Sequence, residues 1–331
     1  MKALVALMLS LSVLLAAGCS SDEKKQQWVE DEVSFEADGL TIHGTYRHLK
    51  DAAPGPASLL ISESGNTDRN GDNIVVGKIG NMRQLAELLS DRGEASLRYD
   101  KVGTGKTGLG PYQQRPTDVG SAVYTSGAKA AARFLAEQPG TDKARLSVYA
   151  LGEGTVHAMS LASDTSPDAP KIHSMGLLQP LSGRYLDIII TNRVRSDASP
   201  ETLNTWLAAV DEVRTKGTVP ANLPEGLGAI LNPGNAKAIE EADKIDPVAL
   251  AAKIPAATPV LLTCSDTDRQ ALCNTMAPLI DALEHTALTV VRLKGVNHVL
   301  RDDPTDSIAN LAKDAPISPQ LVTALDGFVA K

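Results

Sequence analysis

The apolar positions of this chain change period along its length, and those changes divide it into elements. Residues 33–37 and 40–46 alternate apolar and polar side chains on either side of Asp38-Gly39, which predicts a hairpin with a two-residue turn. After Pro54-Gly55-Pro56 comes Ser58-Leu59-Leu60-Ile61, a short unbroken apolar run of the kind found in parallel strands buried on both faces. Helical and strand patterns then take turns. Met82, Leu85, Ala86 and Leu89 recur at three and four spacing, 95–99 reads as a strand, 121–135 as a helix, 146–149 as a strand, and Gly154 opens another helix. Strands at 174–178, 260–263 and 288–293, a helix near 276–283, and a closing helix with Ser318 as N-cap and Pro319 at its first position complete the series. This alternation predicts the α/β class: a doubly wound, mostly parallel sheet. Residues 182–247 interrupt it, with Leu203, Trp206, Leu207 and Val210 on one helical face ahead of a Pro- and Gly-rich run. That insertion reads as a helical cap over the strand ends, or as a decorative helix packed on the sheet.

Composition sharpens the picture in two respects. With 331 residues and 43% apolar content the chain can bury a large core. A net charge of -8 and only 3% aromatic residues argue against a basic groove with stacking rings, so nucleic acid is not the expected partner.

The N-terminus has the pattern of a processed segment. Met1-Lys2 is followed by an apolar stretch, residues 3–17, too short to span a bilayer well, and then by Gly18-Cys19. Leu15-Ala16-Ala17-Gly18-Cys19 resembles a bacterial lipobox, with Leu15 one place earlier than the commonest spacing. The resemblance implies a signal peptide over 1–18, lipidation of Cys19, and a membrane anchor on the extracytoplasmic side of a bacterial cell envelope. Residues 19–32 would form a polar tether. An ordinary cleaved secretory signal is the alternative. Either route places Cys264 and Cys273 in a non-reducing compartment, where a local disulfide is expected, two unpaired core cysteines being the other option.

No residue spacing implies a metal, and no motif implies a cofactor. Gly103-Thr104-Gly105-Lys106-Thr107-Gly108 imitates a phosphate loop, but Asp100 stands where a P-loop needs glycine, and Leu109-Gly110-Pro111 blocks the helix that phosphate binding requires. His43, His48, His157, His173 and His285 have no partner spacing and read as structural or exposed.

The candidate chemistry lies at three strand ends. Asp268 follows the strand at 260–263 and His298 the strand at 288–293, the order of acid and base in an α/β-hydrolase triad. At Ala150-Leu151-Gly152-Glu153-Gly154, where a nucleophile elbow would lie, the serine position holds Gly152. Together with Ser64-Gly65-Asn66-Thr67-Asp68-Arg69-Asn70-Gly71-Asp72, the segment from Leu97 to Lys106, Ser265-Asp266-Thr267-Asp268 and Gly295-Val296-Asn297-His298, the chain resembles α/β-hydrolases of the serine aminopeptidase-like and acyl-esterase-like branch over residues 35–329. The resemblance implies one α/β-hydrolase domain at 33–331, an oxyanion loop at Glu63, Ser64 and Gly65, Glu153 beside the pocket, and His298 and Asp268 as base and orienter.

Departures from that pattern concentrate at the site. The family's G-x-S-x-G has lost its first glycine, to Ala150, together with its serine; Glu63 replaces the first glycine of the oxyanion loop, and Val102 stands where the family often has arginine. Without a hydroxyl at 152 the usual acyl transfer loses its nucleophile, a loss on the order of 10⁶ in turnover for a serine hydrolase. A carboxylate at 63 repels a developing oxyanion unless it turns away or is protonated. Thr155, Ser160 and Ser147 lie in a helix or strand, which leaves Ser64, or a water activated by His298 with help from Glu63, as substitutes. Asp68, Arg69 and Asp72 are expected to brace the oxyanion loop.

The expectation is therefore a lipid-anchored pseudohydrolase that keeps a pocket between sheet and cap and binds a lipid, acyl or peptide-like ligand. An active esterase or peptidase-like hydrolase with a non-standard nucleophile is the alternative, and an interaction scaffold without a small-molecule site is the third reading.

Overall fold

The computed structural model describes residues 27–188, 199–223, 228 and 231–329. The signal segment and Cys19 lie outside them, as do parts of the cap insertion. Eight strands form one sheet in the order β1-β2-β4-β3-β5-β6-β7-β8. β1 (Trp28–Ala37) and β2 (Leu40–Leu49) form the antiparallel hairpin, turning at Asp38 and Gly39, both at positive φ. β2 is antiparallel to β4 (Ala95–Tyr99), and from there β3 (Gly55–Ile61), β5 (Thr141–Leu151), β6 (Ser174–Leu178), β7 (Pro259–Ser265) and β8 (Ala287–Leu293) all run parallel.

The first strand corrects the expected tether boundary at residue 32. Trp28 already pairs with Leu49, under the guanidinium of Arg47, and Glu30 forms an ion pair with the buried Arg98. Glu30, Asp31 and Glu32 break the apolar alternation, so sequence periodicity misses this stretch; cross-strand pairing to β2 makes it a strand.

Helices cover both faces because the central strands are apolar on both sides. On one face α1 (Asn81–Ser90) and the closing helix, Pro319–Val329, bury Met82, Leu85, Leu89, Leu321, Leu325 and Phe328 against Leu60, Tyr149 and Leu261. On the other, α2 (Ser121–Ala136) and α3 (Gly154–Ala162) pack through small residues, among them Ala128, Ala131, Ala132 and Ala158, against Leu59, Leu97, Val148 and Leu177.

The insertion contributes α4 (Pro200–Lys216), capped by Ser199 at its start and ended by Gly217 at φ 65°. Its buried face is Trp206, Ala209, Val210 and Val213, while Leu207, expected on that face, is 47% exposed. These side chains cluster with Val156 of α3 and with Leu181 and Leu186 beyond β6. Asp243, at the end of α5 (Ala236–Lys244), is buried and accepts ion pairs at 2.7 Å from both Arg184 and Arg214, which ties the insertion together. Among the described residues no helix is long and apolar enough to cross a membrane.

Candidate functional site

The elbow keeps its backbone although its serine is gone. β5 ends at Leu151, Gly152 turns at φ 54°, its N–H donates to Leu178 O, and α3 starts two residues later. A Cβ on Gly154 would stand 2.8 Å from Ser62 O, so glycine there permits the close approach of α3 to the loop after β3. Three of the candidate hydroxyls are otherwise engaged, and the fourth, Ser64, lines the cleft beside Glu63: Thr155 Oγ1 donates to Gly152 O, Ser160 Oγ to Val156 O, and Ser147 Oγ bonds Ser174 Oγ.

His298 and Asp268 meet as their order along the chain predicts. Asp268 is fully buried in the loop after β7, and its Oδ2 accepts from His298 Nδ1 at 2.8 Å. That loop is closed by the Cys264–Cys273 disulfide, whose Cα atoms are 5.0 Å apart, so the expected pairing forms. His298 lies in the loop after β8, with its backbone N–H donating to Asp306.

The other ring nitrogen meets a residue from the far side of the site. His298 Nε2 donates to Glu63 Oε2 at 2.7 Å, while Glu63 Oε1 accepts from the backbone N–H of Ser64 at 2.7 Å and of Glu153 at 3.3 Å. Those two N–H groups occupy the positions from which an oxyanion hole is made: the residue after the elbow position and the loop after β3. The Glu63 carboxylate therefore fills the oxyanion site. It also fills the nucleophile's space, since a Cβ at Gly152 would stand 1.5 Å from Glu63 Oε2. Of the two escapes open to a carboxylate there, turning away or taking a proton, it takes neither. Burial works to raise the Glu63 carboxyl, but the charge and hydrogen bond of His298 and the bonds to Ser64 outweigh it and set it at about 2. Burial likewise works to lower His298, and Asp268 and Glu63 together hold it well above its ordinary range. Two carboxylate acceptors require both ring nitrogens to carry protons, so the ring is an imidazolium.

A second group of ionisable residues lies behind Glu63. Lys101, on the turn after β4, is buried and donates from Nζ to Glu63 O. Burial lowers it to about 8, against the pull of Glu153 and Glu63. The Glu153 carboxyl is raised to about 7 by burial and by the charge of Glu63. With Ser62, Ser64, Tyr124 and His157 these groups line a cleft of about 10 Å³, room for about one water. His157 is buried and bonds Thr125 Oγ1 through Nδ1; burial and then Lys101 depress it to about 3, so it is neutral.

Lys101 and His157 were not expected here. Glu153 and His157 are four apart at the start of α3, a spacing that points both to one side and was available in the sequence. Gln179 was also missed: at the end of β6, beside the elbow strand, it is buried at φ 44°, and neither amide atom has a hydrogen-bond partner among the described residues.

The oxyanion loop is braced as expected. Arg69 forms a buried ion pair with Asp100 at 2.9 Å, Asp72 Oδ1 accepts from the N–H groups of Ile79 and Gly80, and Asp68 Oδ1 from those of Asn70 and Asp72. The glycine-rich turn after β4 wraps Asp100 rather than a phosphate: Lys106 N donates to Asp100 Oδ2, and a Cβ on Gly105 would collide with that carboxylate. A larger opening of about 590 Å³ lies between α2 and α5, lined by Ser121, Thr125, Lys129, Glu241 and Lys244, and does not reach His298.

No family model and no curated protein matches the sequence. Solved structures do match. The esterase Pf2001 of Pyrococcus furiosus superposes with a TM-score of 0.56 at 14% identity, covering 92% of this chain and 90% of that one. Est1E from Butyrivibrio proteoclasticus, with ferulic acid bound, gives 0.58 at 15% identity over 90% of this chain and 100% of its own. DcsB in complex with a substrate analogue gives 0.59 at 12% identity over 91% and 98%. With this likeness, the strand order and the elbow turn in place, the chain has the α/β-hydrolase fold.

Proposed function

We propose that this protein is a pseudohydrolase of the bacterial cell envelope, anchored by a lipid on Cys19, that binds a lipid, acyl or peptide-like ligand and does not turn it over. One observation carries the loss of catalysis: the Glu63 carboxylate lies between His298 Nε2 and the N–H groups of Ser64 and Glu153. Acyl transfer needs a nucleophile, a free base and an empty oxyanion site together. Here Gly152 supplies no nucleophile, and the imidazolium is already protonated and cannot accept a proton from water. Glu63, held near 2, is too weak a base to replace it. The two departures also compensate each other, since the glycine makes the room that the glutamate occupies. The esterases among the structural neighbours support only the fold of the scaffold.

The test is hydrolysis of short- and long-chain acyl esters and aminoacyl amides by the full chain, with His298→Ala as control. The expected result is the same background rate from both. Turnover in the parent that vanishes in His298→Ala would defeat this reading in favour of a hydrolase with an unconventional nucleophile.

A further inference from the structure

The groups that hold the Glu63 carboxylate form a receptor that an external carboxylate would fit equally well. Two backbone N–H groups point at one oxygen, at 2.7 and 3.3 Å, and a ring N–H meets the other at 2.7 Å. Each donor is fixed by contacts other than Glu63's side chain. His298 is held by Asp268 and Asp306, the peptide unit that carries the Ser64 N–H by Lys101 Nζ on the Glu63 carbonyl, and the Glu153 N–H by the elbow turn and the start of α3. Glu63 reaches this receptor on a side chain with three rotatable bonds, and 20% of that side chain faces solvent. The contact is therefore one that an incoming group can exchange, in the room beside Gly152 that Glu63 would vacate.

We propose that the site is a carboxylate-binding site kept closed by Glu63 acting as an internal ligand, and that the molecule this protein takes carries a free carboxylate. This rests on the reading that the site binds rather than catalyses. A neutral ester or amide from solution offers these donors a carbonyl oxygen but no charge to pair with the imidazolium, so it does not replace the Glu63 ion pair, whereas a carboxylate replaces it in kind. The effective concentration of a tethered side chain is high, so a free acid displaces Glu63 only when the rest of the molecule adds contacts. Two sources share this chemistry: a fatty acid and the C-terminus of a peptide.

The experiment compares the full chain with Glu63→Ala, Glu63→Gln and Glu63→Ala/His298→Ala in sodium acetate against sodium chloride, by titration calorimetry and thermal unfolding. Glu63→Ala should bind one acetate, with saturation in the millimolar range and a rise in Tm that chloride does not give. The parent and Glu63→Gln, whose side chains still fill the receptor, should not bind it, and the double variant should lose it. In the parent, octanoate and N-acetylalanine then separate the two sources, with their amides inactive. Identical responses of Glu63→Ala to acetate and chloride, or a Glu63→Ala chain that stays unfolded in saturating acetate, would overturn the proposal. Failure of both acids with the parent would overturn its second half. Ester turnover by the parent, by contrast, would defeat the loss-of-catalysis reading and leave acetate binding by Glu63→Ala intact.

Discussion

At the scale of single residues, positions 63 and 152 are one unit. Restoring serine alone should fail: in Gly152→Ser the new Cβ meets Glu63 Oε2, and the oxyanion site stays filled. Glu63→Gly/Gly152→Ser removes both obstacles, frees His298 Nε2 and returns the missing hydroxyl to the elbow. The double variant is expected to exceed either single variant by about 10²-fold or more in ester hydrolysis, since the nucleophile alone accounts for far more in serine hydrolases. A Gly152→Ser chain as active as the double would show that Glu63 does not obstruct the site. Glu153 gives a pH-dependent prediction. Its carboxyl is raised to about 7 from an ordinary 4.5, so the unfolded chain releases its proton first, and stability falls as pH rises across that interval. Glu153→Gln removes this penalty. Its advantage over the parent in chemical denaturation should be small at pH 4.5 and grow to about 1–3 kcal/mol above pH 7. An advantage that does not change with pH would rule out Glu153 as the source.

At the scale of elements, the site exists because strand ends and loops converge. β3, β5, β7 and β8 run parallel, so the loops carrying Glu63, Gly152, Asp268 and His298 all leave from the same edge of the sheet. The loop after β7 is the one with a covalent tie. Its disulfide closes ten residues around Asp268, and the chain-entropy model assigns such a loop about 2–3 kcal/mol. Replacing both cysteines by alanine should lower unfolding stability by about that amount and weaken the hold of Asp268 on His298. Urea denaturation measures the first, and loss of a downfield Nδ1 proton resonance of His298 the second. A stability loss with that resonance unchanged would confine the disulfide to a general stabilising role.

At the scale of the whole molecule, the sheet and its two helical layers are the frame, and the described part of the insertion is packed onto it. Trp206, Val210 and Val213 are buried against Val156 and Leu181, so the described part of the cap spends its apolar face on packing. The cleft behind Glu63 is water-sized, and the openings of about 590, 450 and 390 Å³ elsewhere on the described residues are lined by groups other than His298. The proposed envelope anchoring belongs to this scale too and has a direct measurement. Cys19→Ser should abolish incorporation of labelled palmitate and move the protein from the membrane to the soluble fraction. Continued labelling of that variant would refute lipidation at Cys19.

What the sequence determined by itself was local or repetitive. Strand and helix periods placed the central elements to within a few residues, because burial on both faces leaves an unbroken apolar run and burial on one helical face leaves a three and four spacing. The glycine at 152, the order of Asp268 and His298, and the two nearby cysteines were equally legible, since each is a matter of residue identity and sequence distance. The tertiary structure decided the rest. That β1 begins at Trp28 depends on a partner strand, that Leu207 lies off the buried face depends on how α4 rolls onto α3, and that Lys101 and His157 reach the site depends on the turn after β4 and the start of α3 both packing on the loop after β3. Above all, the sequence placed Glu63 near the oxyanion site without saying which way its carboxylate points. Three groups far apart along the chain settle that: the Ser64 and Glu153 amides and the His298 ring, which converge only in the folded molecule, the ring and the Ser64 bonds outweighing the burial of a charge.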